Sequence, residues 1–452
     1  MSHYGQYTPL EVEDGVPSRS RSRFLSESKL MLATMCLCAL AMLAFVTFTS
    51  TSYTEPPESS PEPEPEPEAP KPIILDPLPQ VDPTSQWPAP FNVALCKPKI
   101  YVYTFPEYLT NLTTDCEGQM HNYGSEQVLH QVLLDKNHSA HQYVTQNPEE
   151  ADFFFIPFYG ACFIHPYLPQ IPDNVDDDYV KPVMKWVRDQ GYWHRSNGTD
   201  HIMIHPMDRG ATYYKAIDEL LPAIFLTTIG DRRLCCTDGH RFRRARDIVI
   251  PSVTGILDSR HIDPYAYVNK TTGMPLQGER DLLGLFRGCC ADTKPDDAYS
   301  NGIRSLLFGE LRNSPDYSIE QEWDGEQYAA LLSRAKYGIT PMGYTLDTTR
   351  VWEYLAFGVV PVVIADGIVH PFEDDIDWDA FTVRIPRDQA HRIDEMLRSI
   401  SNEEYERYRS NVWKTGRRIL LQRDAWHLIV RGLCRMKGME GVRRGMLEGV
   451  EA

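Results

Sequence analysis

Basic residues are scarce in this chain: 45 Lys and Arg stand against 63 Asp and Glu, for a formal net charge of −18 over 452 residues. A protein that coats nucleic acid neutralises phosphates with clustered cations, so this balance speaks against nucleic acid as a partner. No C-x-x-C pairs with a second at zinc spacing, which removes the familiar structural zinc modules. No repeat of solenoid period is visible, and the composition excludes collagen, a small disulfide scaffold and a wholly disordered chain. The first strand candidate, in KIYVYTFPEYLTN, is followed by no glycine-rich or Lys-Ser/Thr element, so a sulfotransferase phosphate loop is missing where one would be needed. The length leaves room for two or three domains and a sizeable core.

One apolar run, Leu30 to Phe48, carries no charge and no proline and is about long enough to span a bilayer core. Arg19, Arg21, Arg23 and Lys29 precede it, and the next basic residue is Lys71. The positive-inside bias therefore predicts a cytoplasmic tail over residues 1–29, a signal anchor over 30–48 and translocation of everything beyond. A cleaved signal peptide fits less well, because the polar lead-in and the apolar run are both long for one. Residues 49–90 form a Pro/Glu-rich stem, with PEPEPEPEAP from Pro61 to Pro70 and six glutamates (Glu55, Glu58, Glu62, Glu64, Glu66, Glu68). Fixed φ angles and charge repulsion predict an extended spacer. A third of the net charge thus belongs to the stem, six of the eighteen negative charges.

Cys36 and Cys38 fall in the span. The other eight are Cys96, Cys116, Cys162, Cys235, Cys236, Cys289, Cys290 and Cys434, an even number that suggests disulfides in an oxidising lumen. Asn111, Asn137, Asn197 and Asn269 each begin an N-x-S/T sequon, which fits a glycosylated protein of the secretory pathway.

From Ile100 onward, short apolar runs alternate with amphipathic stretches. Strand candidates are Ile100–Phe105, Asp152–Pro157, His201–His205, Ala223–Thr227 and Asp247–Pro251, then Leu282–Phe286, Lys336–Thr340, Val359–Ile364 and Phe381–Ile385. Their continuous β-branched and aromatic character is that of parallel strands buried on both faces. Asp177–Arg188, Glu326–Arg334 and the stretch Asn402–Arg435 read as helical. The fold class is therefore α/β, with two doubly wound Rossmann-like domains facing a cleft. We expect an N-terminal domain over 91–262 and a C-terminal one over 263–452, divided by the turn-rich stretch Asp263–Glu279.

The chemistry concentrates between Tyr337 and Pro386. Thr345, Asp347, Thr348 and Thr349 are good helix-capping residues ahead of a helix ending at Phe357, with Gly358 as its left-handed stop. Arg350 and Glu353 share one face of that helix near its N-terminus. Asp366 then opens the loop at the carboxyl end of strand Val359–Ile364, where α/β folds place ligands. A helix N-terminus carrying an arginine suits a diphosphate, and a carboxylate one turn on suits ribose hydroxyls. Spacing alone would also allow an ordinary surface ion pair.

This segment resembles the signature of the exostosin family of glycosyltransferases (glycosyltransferase family 47), of the single-module type, since nothing after Arg435 offers a second transferase module. The residues that carry the resemblance are Arg350, Val351, Glu353, Gly358, Pro361, Val362, Val363, Ile364, Asp366, Pro371, Phe372, Trp378, Phe381, Thr382 and Val383. KIYVYTFP, EEADFFFIPFY, DHIMIHPMDRG, DIVIP and LLGLFRG agree with it upstream. The resemblance implies a GT-B fold and an inverting transfer, in the Golgi lumen, from a nucleotide sugar, with a UDP-sugar expected, to a glycan or glycoprotein acceptor.

Carried onto this sequence, Arg350 would hold the diphosphate, Glu353 the ribose, Tyr344 the nucleoside, and Arg287 would help neutralise the leaving phosphate, with Asp366 nearby. No metal cofactor is implied. Asp176–Asp178 and Asp375–Asp377 match D-x-D formally, without a metal role being expected. The base that accepts the acceptor's proton is sought at His205 or Asp208, just after a strand of the acceptor half. Two departures stand out: Pro341-Met342-Gly343 in the loop before Tyr344, and Ser252 where an aromatic is usual. Arg232, Arg233, Arg241, Arg243, Arg244 and Arg246 form a basic cluster that either greets an anionic acceptor or is a solvated loop. A non-catalytic partner subunit is the rival reading, and a homo- or hetero-oligomer is compatible with the sequence.

Overall fold

The structure, a computed structural model, describes residues 96–116, 123–168, 170–232, 242–253, 262–289, 292, 299–321, 325–419 and 425–438. All of them lie in one compact unit, Val81–Ala452. The expected tail, anchor and stem lie outside the described residues. Among the described residues, no helix is long and apolar enough to cross a membrane.

Two parallel sheets organise the unit. The first contains β1 (Ile100–Val102), β2 (Val144–Thr145), β3 (Phe153–Phe155), β4 (His201–His205), β5 (Ile224–Thr227) and β6 (Ile248–Val249), in the order β2-β1-β3-β4-β5-β6. The second contains β7 (Leu282–Arg287), β8 (Tyr317–Glu320), β9 (Ala335–Pro341), β10 (Val360–Ile364) and β11 (Val383–Arg384), in the order β11-β10-β9-β7-β8. Every residue of β3, β4, β5, β6 and β10 is buried, as expected of strands covered on both faces. The sequence pattern does not mark β2, which is two residues long, or β8, whose residues alternate between buried and half-buried at a sheet edge.

Both orders reverse direction once, between the first and third strand of each sheet. At such a switch point the connections leave on opposite sides and open a crevice beyond the carboxyl ends of the strands. In the second sheet this crevice lies between the end of β7, at Arg287-Gly288, and the end of β9, at Pro341-Met342.

Four helices matter to the site and the frame: α1 (Ile303–Leu311), α2 (Arg350–Phe357), α3 (Asn402–Lys414) and α4 (Ala425–Met436). Helix α2 ends on Gly358 at φ 72°, as its sequence predicts. Its Tyr354 ring lies against β9 at Gly338, where a Cβ would collide with the ring, and Tyr354 Oη donates to the carbonyls of Leu285 and Ile339 at 3.3 and 3.2 Å.

The stretch Asn402–Arg435 is not one helix, contrary to its sequence pattern. Helix α3 stops at Lys414, and Gly416 packs so closely on Leu355 and Phe381 that the chain turns there. Helix α4 instead crosses to the first sheet. Trp426 donates to Leu129 O at 2.9 Å, His427 bonds Ser139 Oγ at 2.8 Å and Tyr143 Oη at 3.1 Å, and Cys434 is disulfide-bonded to Cys96. Cys162 and Cys289 also stand in disulfides.

Candidate active site

Three guanidinium groups gather at the crevice of the second sheet. Arg287 ends β7 and is anchored on β8, donating to Ser318 O and Ser318 Oγ, both at 2.7 Å. Burial lowers its pKa. Arg350 opens α2, donates from Nε to the Arg287 carbonyl, and lies over the Phe286 ring 5.0 Å from its centroid. The loop after β7 closes on it because residue 288 is glycine, since a Cβ there would run into the Arg350 guanidinium.

Sequence reasoning missed the third, Arg304, in the first turn of α1. It is buried, lies over the rings of Phe286 (5.5 Å) and Tyr299 (4.7 Å), and donates to Tyr299 Oη at 2.5 Å and to Cys289 O and Met342 O at 3.3 Å. Its pKa is pushed down to about 10, first by burial and then by the Arg350 charge. What aims it is a left-handed knuckle, Ser300 (φ 65°), Asn301 (φ 47°) and Gly302 (φ 76°). Two non-glycine residues in that region cost on the order of 1–3 kcal/mol each. The knuckle is held by Ser300 N donating to Gly343 O at 2.8 Å and by Ser300 Oγ accepting from Arg304 N at 2.9 Å. A local run of Ser-Asn-Gly before a helix was the available signal.

Among the described residues, no carboxylate pairs with any of these three cations; their bonds run to backbone carbonyls, to Ser318, Tyr299 and Cys289. Three cations without a direct ion pair, only Arg287 feeling a nearby carboxylate charge (Glu320), gather in one partly buried crevice and form an anion site. One turn further along α2, Glu353 is buried and its Oε2 accepts from Tyr328 Oη at 2.8 Å. Burial and the Glu353 charge raise the Tyr328 pKa and keep that hydroxyl a donor. Tyr344 is exposed and meets Tyr299 edge-on, with centroids 4.7 Å apart. Both oxygens of Asp366 accept from Arg387 N, at 3.2 and 3.3 Å, capping the turn after β11.

In the first sheet, His205 lines only a small pocket, beside Arg209, Gly210 and Thr227. It is buried between Phe158, Tyr214 and Phe225, its Nε2 has no hydrogen-bond partner among the described residues, and burial lowers its pKa to about 3. A group that holds its proton only at such acidity is a weak acceptor near neutrality. Asp208, three residues on, is half-buried and accepts from Tyr123 Oη at 3.2 Å, and burial raises its pKa.

The two halves meet around Ser252 and Asp347. The indole N–H of Trp352 on α2 donates to Ser252 Oγ at 2.8 Å, and the Ser252 hydroxyl donates in turn to the Asp347 carboxylate. Asp347 is therefore no helix cap: the cap position falls to Thr349, whose side chain makes no capping bond. The Asp347 pKa is raised to about 7, first by desolvation and then by the charge of Asp208 from the other half. Nearby, Asp231 and Ile368 form an antiparallel bridge between the halves, with Arg232 N donating to Gly367 O at 2.7 Å and Val369 N to Gly230 O at 2.9 Å.

The formal D-x-D pairs have structural employment. Asp176 Oδ2 accepts from Ala216 N at 2.8 Å, and the Asp178 carboxylate accepts from Asn174. Asp375 is fully buried between Arg431 (2.5 Å) and Arg435 (2.7 Å), and Asp377 Oδ1 caps Asp379 N. The basic cluster is likewise engaged where described: Arg243 with Asp247, Arg232 with Glu373, Arg244 with Glu373 and Asp374. Arg233 and Arg241 lie outside the described residues. All four sequon asparagines, Asn111, Asn137, Asn197 and Asn269, are solvent-exposed.

Comparison with known proteins gives the family. The sequence model described as the Exostosin GT47 domain matches residues 95–400. A probable glucuronosyltransferase of Oryza sativa subsp. japonica is 30% identical over 328 residues, covering 68% of this chain and 72% of that one. A probable beta-1,4-xylosyltransferase of Arabidopsis thaliana is 28% identical over 362 residues, covering 75% and 82%. Among solved structures, a glycosyltransferase of Rickettsia africae ESF-5 aligns with a TM-score of 0.35 at 10% identity, covering 77% of this chain and 100% of that one. The matched span takes in both sheets and the arginine crevice between β7, α1 and α2, and the chain belongs to the exostosin GT47 family of glycosyltransferases.

Proposed function

We propose that the chain moves a sugar from a nucleotide sugar, in our reading a UDP-sugar, onto a glycan acceptor with inversion at the anomeric carbon. The observation that carries this is the trio Arg287, Arg304 and Arg350 at the switch point, with no carboxylate partner among the described residues. The diphosphate lies on Arg350 and the N-terminus of α2, with Arg304 and Arg287 behind it. Glu353, which accepts from Tyr328, meets the ribose hydroxyls, and the Tyr299–Tyr344 pair borders the nucleoside. The acceptor enters from the first sheet, on the side of Asp208. In this reading the arginines and the helix dipole neutralise the leaving group without a metal, so transfer persists in excess EDTA.

The two halves take the roles of acceptor and donor domains of a GT-B-like enzyme. The anchor at Leu30–Phe48 and the Pro/Glu stem hold them in the Golgi lumen as a type II membrane protein. Four exposed sequons and the Cys96–Cys434 disulfide support that topology. The test is to offer the full-length chain a panel of nucleotide sugars, with UDP-glucuronic acid and UDP-xylose first because relatives bear those activities in their names. Nucleotide release and binding are measured with and without oligosaccharide acceptors. Acceptor-dependent release supports the reading; neither release nor binding of any donor leaves a non-catalytic partner.

A further inference from the structure

We propose that Asp347, on the donor side of the cleft, takes the proton from the acceptor hydroxyl, with Asp208 opposite it on the acceptor side. The proposal rests on the inverting-transfer reading above and adds the residue that reading lacks. Four observations place Asp347 there. It precedes α2, three residues ahead of Arg350, so it belongs to the segment that positions the diphosphate. It is half-buried, with solvent reaching it while protein surrounds it closely enough to strip much of its hydration. Its carboxylate is oriented by the Thr348 backbone N–H and by a directed chain, Trp352 N–H to Ser252 Oγ at 2.8 Å and Ser252 O–H to Asp347.

The fourth observation is independent of the acids. Asp347 shares a small cavity with His370, Trp352 and Trp378. His370 is 3% exposed, stacks on Trp378 with centroids 4.2 Å apart, and has no hydrogen-bond partner at Nε2 among the described residues. Burial holds its pKa well below the ordinary value, so it is neutral, and Nε2 is an acceptor or donor buried without a partner among the described residues. A polar atom left unsatisfied in a buried wall costs about 1–3 kcal/mol, which a bound hydroxyl would relieve.

In the transfer step, the acceptor O–H bond breaks and its proton passes to an Asp347 oxygen. The electron pair left on the acceptor oxygen forms the bond to the anomeric carbon of the nucleotide sugar. The bond from that carbon to the diphosphate oxygen breaks, and its electrons leave on the diphosphate facing Arg350. The charge facing Asp347 is that of Asp208 from the turn after β4, and the Thr348 backbone N–H and the Ser252 hydroxyl face it as neutral donors; Trp352 and His370 share its cavity. Desolvation first, and the Asp208 charge second, raise its proton affinity to the range in which a base works well at neutral pH.

Two measurements test this on the full-length protein. Infrared difference titration, wild type minus D347N, should show a carboxyl group ionising near pH 7, and D208N should move that transition to lower pH by removing the like charge. In turnover, activity should fall about tenfold per pH unit below the same midpoint, and D347N should lose about 10²–10⁴-fold in kcat. Nucleotide affinity and melting temperature should stay within twofold and a few degrees of wild type. D347N with an unchanged acid limb and near-normal kcat overturns the proposal, as does D347N that folds but no longer binds nucleotide, which would make Asp347 a donor ligand. If the wild type turns over no donor, the transfer reading fails whatever the titration shows, whereas an ordinary carboxylate titration in an active enzyme defeats the base assignment alone.

Discussion

At the scale of single residues, the family signature exposes what lies in one stretch of chain and hides what is assembled from several. Arg350 and Glu353 are three apart on one helix, so their shared face is visible in the sequence. Replacing Arg350 by Ala should weaken nucleotide binding about 10–100-fold by calorimetry, and Lys should restore little of it, because an ammonium cannot reproduce a planar fork. Arg304 should behave similarly, although nothing in its spacing announces it. Its place depends on Ser300 and Asn301 adopting left-handed backbone and on carbonyls at Cys289 and Met342, one before and one well after it in sequence. His205 fails in the opposite way. A histidine at the end of a strand looks the same in sequence whether it faces a cleft or, as here, the rings of Phe158, Tyr214 and Phe225. Asp347 was legible only as a polar residue before a helix, because the partner that defines it, Ser252, sits on another element.

At the scale of elements, two glycines separate building the fold from building the site. Gly338 lies on β9 where the Tyr354 ring of α2 presses on the strand, and Gly288 lies after β7 where the Arg350 guanidinium passes. A Cβ at residue 338 meets a buried ring with nowhere to move, so G338A should cost about 1–3 kcal/mol in chemical denaturation through overpacking. A Cβ at residue 288 meets the far end of a flexible side chain. G288A should therefore leave the denaturation midpoint nearly unchanged while weakening nucleotide binding by about tenfold or more. Equal stability losses in both variants would mean that Gly288 serves the fold and not the placement of Arg350. Elements with a continuous apolar run, such as β4 and β10, could be read directly because burial on both faces leaves no other composition open to them. The two helices within Asn402–Arg435 could not be separated, because the break at Gly416 is imposed by Leu355 and Phe381 from elsewhere in the chain.

At the scale of the whole unit, the last helix decides how the two sheets act together. Helix α4 follows the second sheet in sequence but packs on the first, through Trp426 and His427 and through the Cys96–Cys434 disulfide. From that helix, Arg431 and Arg435 reach back to Asp375, which belongs to the loop after β10 and is fully buried. The strap is thus fastened covalently to the start of the first half and electrostatically to the second, beside the Asp231–Ile368 bridge. The two fastenings should fail differently. D375N leaves two arginines short of their counter-charge inside the protein, which costs about 3–5 kcal/mol where a buried pair is broken on one side. It should lower the melting temperature and also loosen the geometry between Asp347 and Asp208, reducing kcat more than nucleotide affinity. Replacing Cys96 and Cys434 together by Ser removes a constraint mainly on the unfolded chain, for about 2–5 kcal/mol, and should lower the melting temperature while kcat at low temperature is kept. Calorimetry paired with initial rates distinguishes these outcomes, and a D375N enzyme of reduced stability but unaltered kcat would show that α4 supports the fold without setting the distance across the cleft.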